Sequence, residues 1–130
     1  MLAQYLDRLS KEAQFDDELH EESKGVWSFF IDDRFSVRLE EARDGAISFN
    51  CELGPVPPRL DRLEDMLHAN LGSKGTLGAN LGMDRNGAKS VLWRQLPPQA
   101  DYEWFYNELE DFSNAAEYWS YFVRGEEMPE

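Results

Sequence analysis

The hydrophobic residues at the start of the chain recur at helical spacing. Their spacings of three and four place them on one face of a short amphipathic helix, and they are Leu2, Tyr5, Leu6, Leu9 and Ala13. The following stretch, residues 16–25, is polar and has no apolar periodicity, so we interpret it as a loop.

Beyond this stretch the hydrophobic residues alternate with polar ones, which is typical of strands with one buried face. The alternating hydrophobic positions are Phe35, Val37 and Leu39, then Ile47, Phe49, Cys51 and Leu53. Turn residues at 32–33 and 43–45 separate the segments. The pattern predicts a three-stranded antiparallel meander at 26–31, 35–41 and 46–53, which the glycine and prolines of 54–58 should end.

The middle of the chain predicts a second helix followed by a second hairpin. The helix, at 59–71, carries leucines on one stripe, and Gly72 is placed as its C-terminal cap. From Gly75 onward Leu77, Ala79, Leu81 and Met83 alternate with smaller residues, and a turn at 84–87 leads into a strand at 90–96.

The last element is a long helix through Val123, for which Asp101 is placed as the N-terminal cap. Its apolar stripe is continuous and consists of Tyr102, Phe105, Leu109, Phe112, Ala116, Trp119 and Val123. The order α-β-β-β-α-β-β-α predicts an α+β fold, in which helices pack on a twisted antiparallel sheet. We expect one domain at 1–124 and a flexible tail at 125–130.

Composition and charge narrow the classes of partner. The 130 residues are 42% hydrophobic and carry a net charge of -13, so we expect a folded chain that neither nucleic acid nor anionic lipid attracts. No segment has the length and hydropathy of a membrane span or a signal peptide, so the protein should stay where it is made. Cys51 is the single cysteine, which fits a reducing cytosol.

Residues that could carry out catalysis are sparse. His20 lies in the acidic stretch and His68 on the outer side of the second helix, and neither has an evident serine or cysteine partner. The glycines at 72–82 are not followed by the lysine of a phosphate loop, and runs of acidic residues are usually solvated. We therefore expect no cofactor, no metal ion and no catalysis, and we favour a binding protein.

The predicted sheet has more apolar surface than one buried face needs. Trp27 and Phe29 point to one side of the first predicted strand while Val26 and Phe30 point to the other. Trp93 creates a similar surplus in the last strand, and the final helix has a second apolar face at Trp104, Tyr118 and Phe122. Either the chain's own helices cover these side chains or a partner does.

Four segments carry a family resemblance. They are Leu-Glu-Asp-Met-Leu-His-Ala-Asn-Leu at 63–71, Gly-Thr-Leu-Gly-Ala-Asn-Leu-Gly-Met-Asp at 75–84, Leu-Trp-Arg-Gln-Leu-Pro at 92–97 and Phe-Ser-Asn-Ala-Ala-Glu-Tyr-Trp at 112–119. Together with the order of elements, they resemble the Tir chaperone (CesT-like) family of class I type III secretion chaperones. The resemblance covers nearly the whole chain, and its motifs concern the fold rather than catalysis.

The resemblance implies a chaperone of the bacterial cytoplasm, connected with virulence. It would bind the N-terminal region of a secreted effector in a partly extended, secretion-competent state without hydrolysing ATP. A second hypothesis is a regulatory module on the same fold, which binds a secretion-control or transcription protein. A third is an enzyme that uses carboxylates.

The resemblance also implies a dimer, formed by the second helix and the fourth predicted strand. We expect a homodimer, with a heterodimer as the alternative, through Leu60, Leu63, Leu67, Leu71, Leu77, Ala79 and Leu81. The same leucines would otherwise fill the core of a monomer. For the effector segment we expect apolar contacts with Tyr5, Leu6, Leu9, Trp27, Phe29, Phe35 and Val37, with a strand added at a sheet edge.

Overall fold

A computed structural model describes residues 1–13, 19–71 and 75–128 of the chain. The described residues form α1 (Leu2–Ala13), β1 (His20–Ser23), β2 (Val26–Ile31), β3 (Phe35–Glu41), β4 (Ile47–Pro55), α2 (Leu60–Asn70), β5 (Asn80–Met83), β6 (Lys89–Leu96) and α3 (Tyr102–Arg124). The strands make one antiparallel sheet in the order β1-β2-β3-β4-β6-β5. The predicted α+β class is confirmed.

Strand β1 corrects the interpretation of residues 19–25 as a loop. It pairs with β2 in antiparallel register, with His20 opposite Ser28 and Glu21 opposite Trp27. All four of its side chains are exposed, so the strand has no buried face and leaves no alternation in the sequence. Residues 16–18 of the predicted loop lie outside the described residues.

Strand β4 continues past the point where glycine and proline were expected to end it. Gly54 pairs with Ser90 and Pro55 with Lys89 after a shift of register at Glu52. The φ of Gly54 is +141°, and a side chain here would lie within 3.4 Å of Arg124 and Val123. Glycine therefore lets the strand bulge and lets α3 approach closely, which keeps the pairing intact.

The segment before β5 is a turn rather than the start of a strand. Leu77 and Gly78 both adopt positive φ, +54° and +93°, so the alternation that begins at Leu77 becomes a strand only at Asn80. A backbone bond from Ala79 to Thr76 closes this turn and the side chains of Thr76 and Arg94 donate to its carbonyls, and hydrophobic alternation carries no information about such bonds. Gly72, the predicted cap of the second helix, lies outside the described residues, and α2 ends at Asn70 with Leu71 as its C-cap.

Helices α1 and α3 cover one face of the sheet and bury its apolar side chains. The predicted α3 stripe is confirmed: Tyr102 is half-buried, and Phe105, Leu109, Phe112, Ala116, Trp119 and Val123 are buried. Asp101 caps α3 as predicted, because its carboxylate accepts a hydrogen bond from the backbone N–H of Trp104 at 2.9 Å. The core of the fold is thus α1, α3 and the inner face of β2, β3, β4 and β6.

The C-terminal end of α3 contacts the turn between β2 and β3. Gly125 ends the helix with a φ of +68°, and Glu126 forms an ion pair with Arg34 at 2.8 Å. Tyr121 donates a hydrogen bond to Asp32 at 3.3 Å. Residues 129–130 of the predicted tail lie outside the described residues.

Candidate partner-binding surfaces

Helix α2 presents an apolar surface to solvent. Met66 is buried against the sheet and Leu63 is half-buried, but Leu60, Leu67 and Leu71 are 70%, 65% and 74% exposed. An exposed leucine stripe of this kind is typical of a protein–protein contact.

A groove of about 270 Å³ runs between α2 and the edge of the sheet. Its walls are almost entirely apolar and include Val56, Leu60, Leu63, Met66, Leu67, Leu81 and Met83. Met83 on β5 is itself exposed. We call the exposed side chains Leu60, Leu67, Leu71 and Met83 the α2 face.

The structure separates the residues predicted for the dimer interface into two groups. Leu77 is exposed like the leucines of the α2 face, and the close approach of Gly75 to Ala69 places its turn against the end of α2. Ala79 and Leu81 instead point into the core and are buried. This corrects the prediction for these two side chains: Leu81 lies opposite the buried Leu92 of β6, and Ala79, the residue before β5, belongs to the same core.

Partly buried polar contacts hold the turn that carries Leu77. Arg94 donates a hydrogen bond to the carbonyl of Gly78 at 2.5 Å and forms an ion pair with Glu108 at 3.2 Å. The indole N–H of Trp119 donates to the carbonyl of Gly75 at 3.0 Å. These bonds fix the backbone on both sides of Leu77, so they offset the cost of its left-handed conformation.

A second opening lies beside the N-terminal end of α1, next to β1 and the start of β2. This cleft measures about 850 Å³, and its lining consists of Ala3, Glu21, Lys24, Gly25, Trp27, Glu41, Ala42 and Arg43. Trp27 is half-buried and supplies its large apolar surface. Two carboxylates and two basic side chains surround the indole, so the cleft presents charges of both signs. We call this opening the Trp27 cleft.

Glu41 fixes the wall of the Trp27 cleft. Its carboxylate accepts a hydrogen bond from the backbone N–H of Leu2 at 2.8 Å and pairs with the N-terminal ammonium of Met1 at 3.2 Å. The start of α1 is therefore tied to the end of β3, and both elements contribute to the wall of the cleft.

Most of the other residues predicted to contact a partner belong to the core. Leu6, Leu9, Phe29, Phe35 and Val37 are buried, which corrects the expectation that their side chains form an exposed patch. The reason is that the apolar face of α1 and the inner face of the meander pack against each other and against α3. Tyr5 is half-buried, and its hydroxyl donates to the carbonyl of Ala100 at 2.8 Å.

The outer face of the sheet carries further exposed apolar side chains. Phe30 and Trp93 are each 45% exposed, and Trp93 lines a shallow pocket of about 300 Å³ with Arg38, Glu40, Ser48 and Asn50. Trp104 and Tyr118 on α3 are also exposed. The apolar residues on both sides of the first predicted strand indicated that the outer face of the sheet has exposed apolar side chains. The sequence pattern did not indicate whether a partner would bind this face or the Trp27 cleft.

Burial shifts the pKa of Cys51 and of Glu117, two of the ionisable side chains that the structure describes. Burial raises the pKa of the Cys51 thiol to about 12, so the thiol is a packing group rather than a nucleophile at neutral pH. Burial, together with Asp32, raises the pKa of Glu117. Within residues 1–13, 19–71 and 75–128, no cluster of histidine, cysteine and carboxylate side chains has the arrangement of a metal site.

No helix in the described part of the chain combines the length and the hydropathy needed to cross a bilayer. The sequence profile of the Tir chaperone protein (CesT) family matches residues 4–120. No curated protein sequence matches the chain significantly.

Solved structures with a similar fold include chaperone complexes of type III secretion. The ExoU–SpcU heterodimer from Pseudomonas aeruginosa contains a chain with a TM-score of 0.70 and 18% identity, over 96% of this chain and 99% of that one. The Yersinia pestis type III secretion chaperone SycH, in complex with a fragment of YscM2, gives a TM-score of 0.67 and 19% identity over 89% and 97%. YbjN from E. coli, a proposed transcription regulator, gives a TM-score of 0.62 and 23% identity over 98% and 93%.

Proposed function

Because the chain belongs to the Tir chaperone protein (CesT) family, we propose that it binds the N-terminal region of a secreted effector. It holds this region partly extended and ready for secretion, in the cytoplasm of a bacterium. The observation that carries the proposal is the Trp27 cleft, an open site that combines an apolar indole with charged side chains and in which Glu41 ties the start of α1 to β3, in a family of type III secretion chaperones.

The Trp27 cleft suits an extended polypeptide better than a small ligand. Its indole can take one apolar side chain of the effector, while Glu21, Glu41, Lys24 and Arg43 around it can pair with polar neighbours of either charge. Glu21 also lies on edge strand β1, opposite Trp27. A segment that adds its backbone to β1 would thus pass beside the indole, so strand pairing and side-chain capture can act together.

The experiment compares two tryptophans in contact with solvent. The effector is first identified by pull-down from the native bacterium, and limited proteolysis gives its protected fragment. Binding of this fragment is then measured by calorimetry for Trp27→Glu and for the control Trp104→Glu, after circular dichroism has verified their folds. We expect Trp27→Glu to lose roughly 2 kcal/mol of binding, about 30-fold, and the control to bind normally. Equal affinity of both variants and the wild type would contradict the placement.

We also propose that the protein is a homodimer whose two copies meet through the α2 face and Leu77. The support is physical: removing a leucine side chain from water contributes about 1.5–3 kcal/mol, and a two-fold contact uses every such residue twice. Leu63, Ala79 and Leu81 then support the interface without forming it, because they lie beneath it and hold α2 and β5 in place.

Light scattering tests the dimer at micromolar concentration. We expect the mass of two chains for the wild type and for Tyr118→Glu, which places the same charge on an exposed residue of α3. For Leu67→Glu we expect the mass of one chain, because each copy would bring a carboxylate into the apolar contact. A wild type that stays monomeric without an effector would exclude the homodimer and favour a heterotypic pair.

The alternative function is a regulatory module that binds a folded control protein. The fold of YbjN, a proposed transcription regulator, is similar to that of this chain, and this similarity supports the alternative. Limited proteolysis of the captured complex separates the two functions, because a chaperone protects a short extended segment, whereas a regulatory module protects a whole domain. Family membership supports an absence of catalysis, so turnover that one carboxylate substitution abolishes would count against both functions.

A further inference from the structure

The two edges of the sheet differ in whether the outward-facing backbone N–H and C=O groups are hydrogen-bonded within the chain. At the β5 edge, the side chain of Asn70 bonds to both backbone groups of Leu81. Its Nδ2 donates to the carbonyl oxygen at 2.7 Å, and its Oδ1 accepts from the N–H at 2.8 Å. The amide of Asn70 thus makes the two bonds that the N–H and C=O of one residue on a neighbouring antiparallel strand would make.

Thr76 likewise bonds to both backbone groups of Ala79, two residues before Leu81. The N–H of Ala79 donates to the carbonyl of Thr76 at 3.1 Å, and the Thr76 hydroxyl donates to the carbonyl of Ala79 at 2.6 Å. Because alternate residues of a strand direct their backbone groups to the same side, Ala79 and Leu81 would offer successive bonding positions to an added strand. Both positions are occupied from within the chain.

The β1 edge is different. Its four residues pair with β2 on one side, and within the described ranges no other strand lies on its far side. An unpaired edge is a template for strand addition. If both edges were open, the β1 edge of one copy could pair with the β5 edge of the next. Such a head-to-tail contact does not close on itself and grows into a filament.

We propose that Asn70 and Thr76 seal the β5 edge, so that an extended polypeptide can add to the sheet only at β1 and copies of the chain cannot stack edge to edge. The seal works by competition, since an incoming strand must first break the internal bonds of Ala79 and Leu81 and gains only equivalent ones. It is independent of the α2-face contact and holds whether the free protein is a monomer or a dimer.

The test replaces Asn70 by leucine, which has a similar size and no hydrogen-bonding groups. Hydrogen exchange followed by NMR should show that the Leu81 amide exchanges about tenfold or more faster, because it has lost its acceptor. Sedimentation velocity should show species larger than the wild type, increasing with protein concentration. The control Asn114→Leu, at an exposed position on α3, should change neither measurement.

A second substitution separates edge pairing from added apolar surface. Asn80 is an exposed residue of β5, and a lysine on an edge strand opposes strand addition. Asn70→Leu combined with Asn80→Lys should therefore return to the wild-type size while the Leu81 amide still exchanges fast. Growth that the lysine does not suppress would overturn the proposal, as would an Asn70→Leu protein of unchanged size and protection. If Asn70→Leu does not fold, Thr76→Val decides by the same two measurements, made at Ala79 and Leu81.

Discussion

Helices α1 and α2 carry leucines at the same helical spacing, but these leucines have opposite environments. Leu6 of α1 is 3% exposed, whereas Leu67 of α2 is 65% exposed. The two helices are also similar in length, and each is amphipathic. The difference therefore lies in what covers each helix rather than in its own pattern.

Helix α1 packs beside α3 on the inner face of the sheet. Tyr5 packs against the rings of Tyr102 and Phe105, with ring centroids 5.8 and 5.3 Å apart, and Glu41 fixes the start of the helix. Helix α2 lies at the edge of the sheet, where β5 is only four residues long. Met66, Leu63 and the hydrogen bonds between Asn70 and Leu81 attach it there, and its remaining leucines stay in solvent. An apolar stripe thus predicts that one face of a helix is buried in a contact, and that contact can be with the rest of the same chain or with a partner.

The largest expected effect is on stability. Leu6→Ala should lower the free energy of unfolding by about 2–5 kcal/mol, because it leaves a cavity between α1 and the sheet. Leu67→Ala should change the unfolding of the monomer by less than about 0.5 kcal/mol, since its side chain is already in water. Urea denaturation, at a concentration where the chain is monomeric, measures both. Equal losses would mean that the comparison between the helices is wrong.

The next effect concerns concentration. If the α2 face joins two copies, a 100-fold increase in protein concentration stabilises the folded dimer by about 2.7 kcal/mol and raises the Tm of the wild type. Leu60→Lys should remove this dependence and leave the Tm of the monomer unchanged. Scanning calorimetry over the concentration series measures it, and a Tm independent of concentration in the wild type would exclude the contact.

A smaller effect is expected at the start of α1. Glu41→Ala removes the acceptor of the Leu2 N–H and the partner of the N-terminal ammonium, and should destabilise the fold by about 1 kcal/mol. Glu40→Ala is the matched control, because this neighbouring side chain points to the outer face of the sheet. Urea denaturation of the two variants gives the difference. If Glu40→Ala costs as much, Glu41 does not position α1.

The smallest effect is a gain at the start of α2. Arg59 occupies the N-cap position with extended backbone but offers no side-chain cap. Arg59→Ser supplies an acceptor for the first free N–H groups and should stabilise the fold by about 0.5 kcal/mol. Asp101→Ala gives the reciprocal test at α3, where removing an existing cap should cost about 1 kcal/mol. An unchanged midpoint for Arg59→Ser would show that water already satisfies those groups.

Much of the fold follows from the local pattern of the sequence. The bounds of β2 and β3, the stripe and cap of α3 and the α+β class were all predicted from periodicity and turn residues. Strand β1 was missed because its four polar side chains leave no trace in the pattern. Its strand conformation comes from backbone bonds to β2, and such bonds depend on where the chain lies rather than on which side chains it carries.

The candidate surfaces divide in the same way. The sequence by itself determined which faces are apolar, including the leucine stripe of α2 and the tryptophan on β2. Only the tertiary structure decided which of them remain open, because burial depends on the neighbours that an element meets. Phe35 is inside and Trp27 lines a cleft, although both lie on the inner face of the sheet. Phe35 packs against Tyr121 of α3, and no spacing of residues within a strand encodes which strand positions a distant helix covers.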